Sequence, residues 1–211
     1  MTEYYTIADY AEVEQIIEKS KFIGYIMPVD SREEADFFIS EIKAMHKTAT
    51  HNVPAFIIGP GSELKWASDD KEPSGTAGAP ILQLLSGQKL TNTVVVVTRY
   101  FGGVKLGTGG LARAYSSTAA LAVEKAGIAI VKEMSRLKFS LNYSLYGKLK
   151  NMEQGGNFTI ENADFSENVH MTVKSDPQNA LKLIGTLSEL TSGGCNENNI
   201  MIETFTDKIK I

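Results

Sequence analysis

Four consecutive valines, Val94 to Val97 in "TNTVVVVT", constrain this chain most. A β-branched run favours extended backbone, and because no polar residue alternates through it, the strand it predicts must be covered on both faces. The run leads directly into "RYFGGVKLGTGGLARAY", Arg99 to Tyr115, which holds five glycines. Beyond Gly110, residues Leu111, Tyr115, Thr118, Ala122 and Ala126 recur on one helical face, and Gly127 stands where a C-terminal cap belongs. The chain must therefore place a buried strand inside a sheet and carry it through a long glycine-rich loop into a helix.

The flanking segments supply the partners. "KFIGYIMPV" alternates Ile23, Tyr25, Met27 and Val29 as a half-buried strand does. In "SREEADFFISEIKAMH", Ser31 and Glu34 have capping-box spacing, and Ala35, Phe38, Ile39, Ile42 and Met45 define an amphipathic helix from Arg32 to about His46. "NVPAFIIG" and "ELKWASD" read as strands joined by the turn Gly59-Pro60-Gly61-Ser62, and "ILQLL" as a short helix after the glycine-rich "EPSGTAGAP". Near residue 134 the pattern restarts as strand, helix, strand, strand, helix, strand. That βαββαβ order predicts a ferredoxin-like domain. The expected fold class is α+β with two domains, residues 1–133 and 134–211.

At 211 residues the chain can bury an ordinary core, and a net charge of −4 with pI near 5.5 argues against wholesale adhesion to nucleic acid or acidic membranes. Polyanion contact must be local. One cysteine, Cys195, excludes an internal disulfide and leaves no cysteine cluster for zinc. The charged start "MTEYYTIADYAEVEQIIEKSKF" lacks the features of a secretory signal, and no apolar run approaches the roughly 20 residues that span a bilayer. These features predict a cytoplasmic protein without a membrane partner.

Chemistry concentrates in the glycine-rich region. From Pro73 to Val123 there is no Asp or Glu, whereas Lys89, Arg99, Lys105 and Arg113 all fall inside that interval. An anion-binding surface is expected there, for phosphate above all, built from Arg99, Tyr100, Gly102, Gly103, Lys105, Gly107, Gly109, Gly110 and Arg113, with backbone N–H groups at the helix start. "GGVKLGTGG" lacks the Walker spacing. Gly107, Gly109 and Ala112 satisfy G-x-G-x-x-A, but the acids that follow, Glu124 and Glu133, lie 17 and 26 residues beyond Gly107 and the loop is long for a dinucleotide fold.

A second loop, "ASDDKEPSGTAGAP", sets Asp69, Asp70 and Glu72 beside Ser74, Gly75, Thr76 and Gly78. Those carboxylates are weak candidates for Mg²⁺, with the loop amides presented to phosphate; solvated or Arg/Lys-paired acids are the alternative. His46 and His51 share no helical metal face and are expected to be hydrogen-bonding residues, and Trp66 to be core. Neither Ser74 nor Cys195 sits in a nucleophile motif, so no catalytic residue and no cofactor is expected.

The motifs "KSKFIGYIMPV", "HKTATHN", "DDKEPSGTAGAPIL" and "VVVTRYFGGVKLGTGGLARAY", in order, resemble those of the IMPACT family, bacterial YigZ-like branch. The resemblance implies an N-terminal domain like a ribosomal-protein α/β domain and a C-terminal domain like one in elongation factor G. It implies an association with translational control and no established enzymatic activity. In the eukaryotic branch it implies binding to an activator of a stress-responsive kinase, through an extra domain for which this chain has no room. Lys71 stands where the family usually has glycine, and Val53 where cysteine is common. The expected function is a non-enzymatic, translation-associated regulator that contacts RNA, the ribosome or a translation-related protein through the cationic glycine-rich surface. A metal-assisted enzyme, or a binder of a small phosphorylated ligand, is the alternative.

Overall fold

A computed structural model describes residues 3–196 and 198–211. Met1 and Thr2, inside the expected first domain, and Glu197, inside the second, lie outside the described residues. The chain divides into two compact units, the first running up to Val131 and including Lys208–Ile211, the second spanning Lys132–Asp207.

The first unit is built on an antiparallel sheet of β2 (Ala11–Ile17), β3 (Ser20–Pro28), β4 (His51–Ile58), β5 (Leu64–Ala67) and β6 (Thr93–Tyr100), in the order β2-β3-β6-β4-β5. Strand β6 is central, as its valines require. Val95 and Val97 face the core beneath α2 (Gly78–Gly87) and α3 (Gly107–Ala126), while Val94 and Val96 face the core beneath α1 (Arg32–Met45). All four are fully buried.

Local chemistry explains the helix ends. Ser31 Oγ accepts from Glu34 N–H at 3.2 Å, and Glu34 reaches back to the amide of Asp30 at 2.8 Å, a variant of the expected capping box. Helix α3 begins at Gly107, earlier than the sequence periodicity suggests, and ends at Gly127, whose N–H bonds Val123 O. Helix α2 runs well beyond "ILQLL".

Two strands had no sequence expectation. β1 (Tyr4–Ile7) pairs antiparallel with the start of β7 (Ile128–Leu141), and β2 forms a hairpin with β3. That hairpin turns on Glu18-Lys19, both at positive φ (46° and 64°). Two such residues make a type I′ turn, which normally announces itself by Asn-Gly or Gly-Gly. Glu-Lys carries no such signal.

The second unit contains β7 from Lys132 onward, α4 (Tyr143–Glu153), β8 (Thr159–Phe165), β9 (Val169–Ser175), α5 (Pro177–Leu190) and most of β10 (Met201–Lys210). β9 lies between β7 and β8, and β10 pairs with β7 on its other side. This is the ferredoxin-like arrangement, with a core of Leu137, Phe139, Met171, Val173, Leu183 and Leu187 against the helices. Two boundaries differ from expectation. β7 starts at Ile128, and the last four residues belong to the first unit, where Ile211 N–H bonds Ile128 O and Lys210 approaches Asp9 at 3.4 Å.

Candidate functional site

The loop from Asp69 to Gly78 is organised inward. Asp69 accepts hydrogen bonds from the amides of Gly75, Ala77 and Gly78 at 2.7, 3.0 and 2.9 Å. Its carboxylate thus caps α2, whose own N-cap residue Ala77 has no side-chain acceptor. Partial burial opposes ionisation of Asp69, but the donors from Gly75, Gly78 and Ala77 outweigh it and hold the carboxyl below the usual aspartate range. Of the amides expected to receive an external phosphate, those of Gly75 and Gly78 are filled by the chain's own anion, and that of Thr76 bonds Pro73 O. Gly78 is also fixed by packing, since a Cβ there would lie 2.7 Å from Ser68 O.

Asp70 and Glu72 point elsewhere. Asp70 Oδ2 accepts from the amide of Asn52 at 2.6 Å, and Oδ1 faces Lys43 at 3.7 Å. Glu72 enters the interior. Its Oε1 accepts from Arg99 Nη1 and from the Tyr115 hydroxyl, each at 2.7 Å, and His51 Nε2 stands 3.5 Å away. His51 Nδ1–H donates to Asp70 O at 2.8 Å. Burial first, then the hydrogen bond and charge of Glu72, push the Tyr115 hydroxyl far above the usual tyrosine range, so it stays a donor. Three carboxylates that are neighbours in sequence therefore diverge, and among the described residues no group of three or more His, Cys, Asp or Glu is placed to hold a metal ion. The Mg²⁺ candidates Asp69, Asp70 and Glu72 do not form a site.

Arg99 is likewise not a surface cation. The Glu72 and Arg99 side chains are only 4% and 5% exposed. The guanidinium lies between the rings of Phe22 and Phe101, 5.3 and 5.4 Å from their centroids, and also donates to Ser20 Oγ at 3.3 Å. Its Nε has no hydrogen-bond partner among the described residues. The acid-free interval of the sequence is not acid-free in space, because Glu72, just before it, folds back under β6 and takes up the Arg99 charge.

Tyr100 also turns toward the protein. Its hydroxyl is 2.8 Å from His46 Nδ1, and the Tyr25 hydroxyl is 2.6 Å from His46 Nε2. Burial, against the opposing pull of Glu12, keeps the His46 imidazole below its usual range. A neutral ring accepts from one tyrosine and donates to the other. Gly102 is a packing residue, since a Cβ there would fall 1.9 Å from Lys19 O in the β2–β3 turn. Thr76 is buried, with its hydroxyl on Pro73 O at 2.7 Å. Trp66, expected in the core, stacks on Phe56 at 5.3 Å but is 37% exposed on the edge strand β5.

What remains at the surface is the start of α3. Gly103, Lys105, Gly107, Gly109 and Arg113 are exposed, with Gly110 half-buried beside them. The N-cap residue Leu106 provides no side-chain hydrogen bond, and the first turn carries no acid. Lys105 and Arg113 have no ion-pair partner among the described residues. They border a concavity of about 540 Å³ whose apolar lining includes Ile17, Val104, Leu106 and Ala114 and whose one acid is Glu18. Ser74 and Gly75 are exposed at the tip of the other loop, but the Gly75 amide is already engaged by Asp69.

An antiparallel sheet with helices on both faces, joined to a ferredoxin-like unit and carrying two glycine-rich loops locked by buried charge, defines a class of two-domain α+β proteins. The description "Impact N-terminal domain" matches residues 18–123, and a domain of unknown function, DUF1949, matches residues 139–193. The chain is 39% identical over 190 residues to the IMPACT family member YvyE of Bacillus subtilis (strain 168), covering 90% of this chain and 88% of that protein. It is 43% identical over 101 residues to the IMPACT family member YigZ of Escherichia coli (strain K12), covering 47% and 50%. A crystal structure described as that of a hypothetical protein superposes with TM-score 0.60 at 26% identity, covering 100% of this chain and 98% of that one. The chain belongs to the IMPACT family, in its bacterial branch. No helix among the described residues is long and apolar enough to cross a membrane.

Proposed function

We propose that the first unit is a translation-associated binding module that contacts RNA phosphates, on the ribosome or on free RNA, through the start of α3. The observation that carries this reading is the uncapped, acid-free N-terminus of a 20-residue helix flanked by Lys105 and Arg113. Helix N-termini hold partial positive charge and free amides, and both cations can reach a phosphate without first breaking an internal ion pair. Family membership supports the translational setting. Arg99 and the amides of Gly75, Thr76, Ala77 and Gly78 take no part, because each is committed within the fold.

Co-sedimentation with ribosomes, and direct binding to single-stranded RNA, across a salt series tests the proposal. Phosphate contacts release counterions, so the double variant Lys105→Ala/Arg113→Ala should weaken binding and flatten the log–log salt slope by about 1.5. No wild-type binding at low salt, or an unchanged slope in the variant, would refute it. The acidic loop supports no metal-assisted reading, since its three carboxylates face three different sets of partners.

A further inference from the structure

The second unit carries a constellation unrelated to the α3 surface. On the sheet, Ser140 of β7 pairs directly opposite His170 of β9, and Asp164 of β8 pairs with the same His170 from the other side. Directly paired residues project from the same face of a sheet, so the three form one Ser–His–Asp row. Ser140 Oγ and His170 Nδ1 are 2.7 Å apart, a full hydrogen bond. The row opens into a concavity of about 520 Å³ that Cys195, Asn199 and Met201 also line.

The geometry points to Ser140 as a nucleophile activated by His170, in a site that accepts small activated acyl esters. With the hydroxyl donating to Nδ1, the imidazole holds its own proton on Nε2 and is placed to receive the serine proton as Oγ attacks. Oγ then bonds to the acyl carbon. Collapse of the adduct breaks the ester C–O bond, the leaving alcohol takes the proton back from His170, and a water attacking by the same route releases the acid and restores Ser140.

Asp164 does not complete a triad. Its Oδ2 accepts from Asn162 Nδ2 at 2.9 Å, and no ion pair joins it to His170 among the described residues. The site therefore works as a dyad, without a group fixing the imidazole. Of the other nucleophiles lining the concavity, Lys138 is held by Glu203 at 3.5 Å, and Cys195 is buried, which pushes its thiol up.

The test is covalent labelling of the full chain with an alkyl fluorophosphonate, in which Oγ–P forms, P–F breaks and the proton goes to His170, followed by intact mass and peptide mapping. The expected result is a single adduct on Ser140, absent in Ser140→Ala. In His170→Gln the labelling rate should fall about a hundredfold, at the lower end of general-base contributions. Both positions are exposed, and circular dichroism of each variant checks that it folds as wild type does. No adduct in wild type, an adduct on Lys138 or another serine, or equal rates with and without His170 would overturn the assignment. Neither outcome touches the α3 reading, because Lys105→Ala/Arg113→Ala should label as wild type does.

Discussion

Replacing Asp69 removes the acceptor that holds the start of α2, and the structure sets the size of the effect. Of its three donors, Gly75 is exposed and can turn to water, whereas Ala77 and Gly78 are buried and would lose their partner. A buried donor left unsatisfied costs about 1–3 kcal/mol, and loss of the negative charge at a helix N-terminus adds about 0.5 kcal/mol. Asp69→Ala should therefore destabilise the first unit by about 3 kcal/mol. Asp69→Asn, which keeps one acceptor oxygen but turns an N–H₂ toward a donor, should cost about half as much. Urea titration followed through Trp66 is the assay, since it is the single tryptophan and lies in this unit against Phe56. The linkage to pH has a definite sign. The folded carboxyl titrates below its unfolded range, so its stabilisation is complete above the unfolded value near 3.9 and is lost as pH falls through the folded one. The gap between wild type and Asp69→Asn should close on acidification. A cost under about 1 kcal/mol, or a gap that stays constant to low pH, would sink the capping argument.

Two further outcomes follow from the loop that carries Lys71 and Glu72. Glu72→Ala strands the Arg99 guanidinium between Phe22 and Phe101 and should cost about 3–5 kcal/mol, whereas the double change Glu72→Met/Arg99→Met should recover most of that loss. Equal stability of the single and double variants in urea would show that the pair is not the cause. Lys71 sits at φ +70°, next to Asp70 at +44°, a region that charges a side chain about 1–2 kcal/mol. Lys71→Gly should raise stability by about 0.5–1 kcal/mol after the entropy of the freer unfolded chain is subtracted, and a lower urea midpoint would contradict the strain.

Much of the fold was legible because its signals are local. The valine run had to be a central strand, Ser31 and Glu34 had to start a helix, and the βαββαβ order had to give a ferredoxin-like sheet. The hairpin of β2 and β3 was not legible, because Glu18-Lys19 adopts left-handed backbone that those residues do not advertise. Nor was the long reach of β10, just past whose end Ile211 bonds Ile128, 83 positions earlier in the chain.

The candidate site divides along the same line. Glycine at 103 and 107, lysine at 105 and arginine at 113 follow from a strand-to-helix loop and remain at the surface. The roles of Arg99, Tyr100, Glu72 and Asp69 were decided only when β4, β6 and α2 came together. A count of charges along the chain records how many there are, whereas burial decides which are free, because a charge removed from water must take a partner from whatever the fold brings near. Sequence alone determined most of the elements, though not β1 and β2, together with the family and the presence of unmatched positive charge. Tertiary structure determined that Glu72 neutralises Arg99, that Asp69 fills the amide nest, and that Ser140 and His170 meet across two strands, since each contact joins residues that the chain keeps apart until the sheets form.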